Sequence, residues 1–136
     1  LLDKASAEAK QLLGGTRLEA PPTEVVDGLL GLEGSSQLCL IEPASADKPD
    51  GPGLLAVEAL LEKVAQGISP MDQELGMRID SRSTGMIHLA GEPVDEPPEL
   101  TEIDCQKWLQ TLLKHRLMIV VFLGPSSGML ELQPFN

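Results

Sequence analysis

The sequence predicts an α/β domain, with α+β as the alternative arrangement, in which two or three amphipathic helices pack against a mixed sheet of about five strands. Three observations carry this prediction. Apolar residues recur at helical spacing in some segments, they alternate or run together in shorter ones, and glycine and proline separate these segments. A length of 136 residues suits one core. Residues 1–136 are therefore predicted to form a single domain, with residues 1–15 as a peripheral N-terminal helix.

The N-terminal part predicts two helices. Residues 3–13 are rich in alanine, place Lys4 and Glu8 four positions apart for an ion pair, and stop at Gly14. Their apolar stripe is thin, so this helix is expected to pack on a neighbour rather than to anchor the core. Two prolines and a capping threonine then predict a short helix over residues 24–30.

A strand, a long loop and a helix are predicted next. Residues 36–42 contain a near-continuous apolar run, which is typical of a strand covered on both faces. Residues 43–53 have turn chemistry without periodicity, whereas residues 54–66 place apolar side chains on one helical face. Gly67 is expected to end this helix, and Ser69 to cap a single short turn after it.

The segment that follows predicts a half-buried hairpin. Residues 77–80 and 86–90 alternate apolar and polar side chains, and Gly85 in their connection can adopt a positive φ. Residues 91–99 then form a proline-rich acidic connector, which we call the acidic connector throughout.

The C-terminal part predicts the best helix and the central strand. Thr101 and Asp104 match a capping pattern, so a helix is expected over residues 101–115. Residues 117–123 are the longest apolar run and predict the central strand, with residues 129–132 pairing beside it as an edge strand. Helical spacing assigns five residues to the inner face of the helix: Cys105, Trp108, Leu109, Leu112 and Leu113.

The composition excludes several function classes. Ten Lys and Arg against 21 Asp and Glu leave a net charge of −11, which disfavours nucleic acid and anionic membranes as partners. Aromatic residues make up 2% of the chain, too few for a base-stacking surface. The apolar run 117–123 is far shorter than the roughly 20 residues of a membrane-spanning helix, so no membrane insertion is predicted.

The two cysteines predict structural thiols. Cys39 and Cys105 each lie in an apolar periodic segment and form no C-x-x-C pair. Cysteine in such a position behaves as a small buried hydrophobe, so we expect both to be free. This favours a reducing compartment, and the cytoplasm is the predicted location.

One segment resembles a catalytic motif in its letters. Residues 124–128, Gly-Pro-Ser-Ser-Gly, fit the G-x-S-x-G nucleophile elbow and follow an apolar run, as that motif requires. The elbow also requires a helix after the turn, whereas the residues that follow are typical of a strand. We therefore expect a turn. Ser126 and Ser127 stay candidates only as polar contacts of an alternative small ligand-binding or hydrolytic domain.

Nucleophilic and metal chemistry find no other support. Cys105 and His115 are ten residues apart on one predicted helix, about 15 Å by the helical rise, so they cannot form a catalytic pair. Two histidines and two cysteines without ligand spacing do not make a zinc site. No catalytic residue, metal or cofactor is predicted, and the sequence favours a protein that is not an enzyme.

Acidic residues gather in two windows that contain no Lys or Arg, residues 18–47 and 90–106. Such windows serve solubility or form a docking face for a basic partner. The second window includes the acidic connector, which offers four candidate interaction residues: Glu92, Asp95, Glu96 and Glu99.

The function predicted first is therefore a non-catalytic protein–protein interaction or scaffold domain of a larger protein or assembly. Its partner would be a protein with a basic surface, and an edge strand at residues 77–80 or 129–132 would accept a partner strand. A small secretion or assembly chaperone-like adaptor is the alternative, and a homodimer stays open.

Overall fold

The computed structural model describes residues 1–21, 35–91, 99, 101–112 and 115–124. Within this part there are four helices and two strands. In chain order they are α1 (Leu2–Gln11), β1 (Ser36–Leu40), α2 (Pro52–Ile68), α3 (Asp72–Leu75), β2 (Met86–Ala90) and α4 (Glu102–Leu112). The strands β1 and β2 pair antiparallel in a small two-stranded sheet.

The predicted α/β domain with a five-stranded mixed sheet is wrong. The described part of the chain is mostly helix and irregular structure around one strand pair. Residues 117–123 and 77–80, predicted as strands, lie in neither strand nor helix. The predicted helix 24–30 and edge strand 129–132 lie outside the described residues.

The predicted hairpin is wrong because β2 pairs with β1 and not with residues 77–80. The Gly91 N–H donates to the Ser35 carbonyl at 2.9 Å, just beyond one end of the strand pair. At the other end, the Ile41 N–H donates to the Gly85 carbonyl at 2.8 Å. Alternation of apolar and polar side chains predicted that 86–90 is a strand, but it carried no information about which strand lies beside it.

The chain divides into two compact units that are interleaved in sequence. The first unit comprises Leu1–Gly14 and Leu40–Ile87, and the second comprises Gly15–Cys39 and His88–Asn136. The single-domain interpretation of the chain stays a prediction.

In the first unit, α1 packs against α2. Ala5 of α1 is fully buried, as are Leu54 and Val57 of α2 to within a few per cent. The approach is close because Gly53, the second residue of α2, has no side chain: a Cβ built at this glycine would lie 2.6 Å from the backbone nitrogen of Ala5. Ile41 is also buried in this unit. The small side chains of the thin, alanine-rich stripe therefore allow the two helix backbones to approach closely.

The N-terminus of α2 is capped by α1. Among the described residues, no side chain of α2 or of its flanks caps it. Instead the Glu8 carboxylate accepts a hydrogen bond from the Gly53 N–H at 3.0 Å and another from the Leu54 N–H at 2.8 Å. A carboxylate at this end satisfies two unpaired N–H groups and interacts favourably with the helix dipole. Glu8 does not form the predicted ion pair with Lys4, because its carboxylate binds the N-terminus of α2 instead.

The buried residues of the second unit include the only tryptophan of the sequence. Trp108 of α4 and Leu38 of β1 are buried, and so is Pro21. Glu19 extends the sheet by an antiparallel bridge to Leu38, and its carboxylate accepts a hydrogen bond from the Lys107 ammonium. That ammonium also lies 4.9 Å from the centre of the Trp108 ring. The prediction that Trp108 belongs to the core is confirmed.

Only some of the helix ends lie where the local sequence signals predict them. Thr101 caps α4 as predicted, because its hydroxyl accepts a hydrogen bond from the Asp104 N–H at 3.1 Å. Helix α3 ends at Gly76, whose φ is +65°, but Met71 and not Ser69 precedes its first residue. Helix α2 continues through Gly67 to Ile68, so the predicted end at this glycine is wrong.

Neither cysteine forms a disulfide, as the sequence predicted. Cys39 is buried in β1, whereas Cys105 on α4 is only partly buried.

Candidate functional site

The most unusual surface of the described chain is the apolar segment, residues 117–123, which follows α4 in the second unit. Its seven residues contain no charged, polar or proline side chain. Large apolar side chains are exposed along most of its length, and Phe122 is 65% exposed. A continuous exposed apolar surface of this kind marks a binding site more often than isolated exposed side chains do.

Leu117 is 45% exposed, and from Met118 onward more exposed and less exposed residues alternate along the apolar segment. Met118, Val120 and Phe122 are 48%, 49% and 65% exposed. The residues between them are less exposed: Ile119 is 37% exposed, and Val121 is only partly exposed. A period of two is the side-chain pattern of an extended strand, so the segment presents one apolar face outward.

The backbone of the apolar segment has no partner strand in the described part of the chain. Among those residues, no backbone hydrogen bond joins residues 117–124 to another segment. Relative to the described residues, the segment therefore has available N–H and C=O groups outside any helix or strand, which is what an added strand pairs with.

Charge at the two ends of the apolar segment is asymmetric. Arg116, which is exposed, and His115 precede the segment, and Lys114 comes before them in the sequence. Gly124 and Pro125 follow it, so the second end carries no charge. The proline also ends the run of backbone donors that a neighbouring strand can use.

The structure places little of the acidic connector. Glu99 is exposed, whereas Glu92, Asp95 and Glu96 lie outside the described residues. In the helix that follows, Asp104 occupies the first turn, where negative charge is favourable, and it takes part in the cap with Thr101.

The alternative ligand-binding loop, residues 124–128, is described only at its first residue, Gly124. Ser126 and Ser127 lie outside the described residues. Their role as polar contacts of a small ligand-binding domain stays a prediction.

The first unit holds a charged cluster that links α2 to the loop before β2. Arg82 donates to the Glu58 carboxylate at 2.6 Å and to the Glu62 carboxylate at 2.8 Å. Glu58 in turn accepts a hydrogen bond from the Gly85 N–H at 2.9 Å. The hydrogen bond from Arg82, helped by one from Gln66, lowers the pKa of Glu62.

The pKa of Arg82 follows from the same contacts. Partial burial lowers it, but the hydrogen bonds to Glu58 and Glu62 outweigh burial, and the pKa is raised overall. An arginine is protonated at every relevant pH, so this cluster carries charge without proton-transfer chemistry. Its role is to hold a loop on a helix.

Sequence reasoning missed both arrangements. Glu58 and Glu62 lie four positions apart on a helix, a spacing that puts two carboxylates on one face, and this was the available signal for an arginine partner. For the apolar segment, the available signal was its flanking sequence: residues 114–116 before it are basic, and Gly-Pro follows it. A central strand of a covered sheet needs no such flanks. A continuous apolar run alone does not distinguish a buried strand from an exposed one.

The described residues contain no cluster of three or more metal-binding side chains. No helix among them is both long enough and apolar enough to cross a membrane. His88 is exposed, and its Nε2 lies 3.1 Å from the Ser36 hydroxyl, so it is paired across the sheet.

Comparison of this chain with protein-family models, with curated proteins and with solved structures gives no match. The site is therefore interpreted from its own geometry.

Proposed function

We propose that this chain is a protein-interaction domain whose binding element is the apolar segment, residues 117–123. The proposal rests on one observation: Met118, Val120 and Phe122 are exposed apolar side chains on a backbone that lies in neither helix nor strand and has no partner strand in the described part of the chain. Binding occurs by strand addition, in which backbone hydrogen bonds supply affinity and the alternate side chains supply specificity.

The acidic connector is proposed as a second, charge-bearing docking surface for a basic protein. Its support is the sequence pattern, together with the exposure of Glu99. The two surfaces differ in chemistry, because one binds through apolar burial and the other through charge. They are therefore separable by mutation.

The test compares capture of proteins by variants of the chain. A double substitution, Val120→Lys with Phe122→Lys, places charge on the exposed face and is expected to abolish capture of those proteins that do not bind the acidic connector. Met71→Lys is the matched control, because Met71 is 46% exposed but lies in the first unit. Far-ultraviolet circular dichroism must show the same helical content for all three proteins.

A second arm addresses the acidic connector. Substituting lysine at Glu92, Asp95, Glu96 and Glu99 is expected to remove only those captured proteins that have a basic surface. If the double lysine variant captures the same proteins as the Met71→Lys control, the apolar segment is not a binding element. If the connector variant loses nothing, the acidic docking surface is abandoned.

A further inference from the structure

The apolar segment is self-complementary, and we propose that its partner strand is the same segment of a second copy of this chain, running antiparallel. This inference rests on the proposed function, because it names the partner for the same binding element. Its basis is the order of side chains along residues 117–123 together with the charges that flank them.

An antiparallel pair related by a two-fold axis at Val120 matches side chains of similar class. Residues equally far from Val120 on either side then lie opposite one another in the two copies. The opposed pairs are two leucines, a methionine with a phenylalanine, two β-branched residues, and Val120 with itself: Leu117–Leu123, Met118–Phe122, Ile119–Val121 and Val120–Val120. Opposed β-branched and aromatic residues are the pairs that stabilise sheets, and the thioether of methionine packs well on an aromatic ring.

The outward face adds to this match. Because opposed residues share a face, Met118 and Phe122 of each copy fall on the same side of the pair as Val120. The most exposed residues of the two copies therefore combine into one continuous apolar patch, and each side chain covers part of its neighbour. A two-fold interface requires such a self-matching surface.

The flanking charges select the antiparallel direction. In an antiparallel pair, Arg116 of one copy lies opposite Gly124 of the other. In a parallel, in-register pair, Arg116 would lie opposite Arg116, and like charges directly opposed in a sheet are destabilising. The basic flank and the uncharged flank therefore favour the antiparallel arrangement over the parallel one.

The size of the contact sets the expected strength of association. Seven residues span about 23 Å at the rise of a strand. A contact this short is a small interface, and interfaces below about 1,200 Å² belong to weak, transient pairs. The pair is therefore expected to form in a concentration-dependent manner, with the mass by light scattering rising from 14.5 kDa toward twice that value.

Cysteine cross-linking tests both the partner and the direction. The background carries Cys105→Ser and keeps Cys39, which is buried. Val120→Cys places two thiols opposite one another at the two-fold axis, so mild oxidation is expected to convert it to a disulfide-linked dimer. Leu117→Cys is the control, because its thiols lie about 20 Å apart in the antiparallel pair. It is expected to cross-link no more than the background protein does.

Each outcome has one interpretation. Cross-linking of the Val120→Cys variant but not of the Leu117→Cys variant supports the proposal. The Val120→Lys variant, with unchanged circular dichroism, must then stay at the monomer mass. Equal cross-linking of both variants indicates a parallel pair and overturns it. A wild-type chain that stays monomeric at every concentration, while the lysine substitutions still abolish protein capture, overturns self-pairing but leaves the proposed function standing. A monomer that instead binds phosphatidylserine vesicles through the segment overturns both.

Discussion

Glu8 shows how much of the first unit depends on one side chain. Its carboxylate, from α1, supplies the cap that α2 lacks locally, so one group joins the two helices and satisfies two N–H groups. Replacing Glu8 with alanine is expected to lower the free energy of unfolding by about 1 kcal/mol, the usual cost of losing an N-cap. Urea denaturation followed by circular dichroism measures this change.

The matched control for this prediction is Gln11→Ala. Gln11 is exposed at the end of the same helix, and alanine is a good helix former there, so its effect is expected to stay within about 0.5 kcal/mol. Glu8→Gln keeps one amide oxygen as an acceptor and should fall between the two. Equal stability of Glu8→Ala and Gln11→Ala would show that water caps α2 equally well.

A second residue-scale prediction concerns Glu62 and pH. Its pKa is lowered in the folded state from an ordinary value of 4.5, so the carboxylate contributes stability above that value and loses it as pH falls through the folded pKa. Glu62→Gln is therefore expected to be less stable than the wild type at pH 7 and equal to it once the pH has fallen below the lowered pKa of the folded state. The measurement is the free energy of unfolding against pH.

Glu74→Gln is the control for the pH prediction. Glu74 is exposed in the short helix α3 and forms no ion pair among the described residues. Its variant is expected to follow the wild-type pH profile. A difference between wild type and Glu62→Gln that persists unchanged into acid would assign the effect to packing and not to the ion pair with Arg82.

At the scale of elements, packing of α1 on α2 predicts opposite effects at two glycines of one helix. A Cβ at Gly53 would meet the α1 backbone at 2.6 Å and 2.8 Å, whereas a Cβ at Gly67 meets nothing within 4 Å. Gly53→Ala is therefore expected to destabilise by about 1–3 kcal/mol, because the helices must move apart. Gly67→Ala is expected to stabilise by up to about 1 kcal/mol, because alanine favours the helix.

Thermal unfolding of both variants checks this pair of predictions. The two substitutions make the same chemical change within one helix, so a shared helix-propensity effect cancels in their comparison. A stabilised Gly53→Ala variant would mean that α1 moves away from α2 at little cost. The close approach of the two helices would then not be a determinant of stability.

What the sequence could predict at this scale depended on whether the signal was local. Local signals predicted the start of α4 after Thr101, the strand 86–90 and a helix over residues 3–13, where α1 spans Leu2–Gln11, because caps and periodicity act within a few residues. The predicted pairing of residues 77–80 with 86–90 was wrong, since β2 joins a strand far away in sequence. The apolar segment was assigned to the sheet centre because hydrophobicity reports a preference for burial, not whether a partner is present.

At the scale of the whole molecule, the acidic windows are less uniform than their composition indicates. Glu19 in the first window is paired with Lys107, and Asp104 in the second supports the start of α4. The candidate interaction residues Glu92, Asp95 and Glu96, by contrast, remain predictions from sequence alone. The net charge of −11 belongs to the whole chain, and its effect on association can be tested by varying the salt concentration.

The two proposed surfaces predict opposite responses to salt. Two copies of charge −11 repel one another, so screening between about 0.05 and 0.5 M NaCl is expected to increase pairing through the apolar segment. Binding of a basic protein to the acidic connector is expected to weaken over the same range, because salt screens attraction.

Sedimentation equilibrium of the chain at several salt concentrations measures the first response. Lysine at the four connector positions Glu92, Asp95, Glu96 and Glu99 adds two positive charges each and leaves a net charge of −3, so this variant should pair at low salt as the wild type does at high salt. Val120→Lys should stay monomeric throughout, because it disrupts the apolar match and not the overall repulsion. Pairing that weakens as salt rises would instead place ion pairs, and not the apolar segment, at the contact between copies.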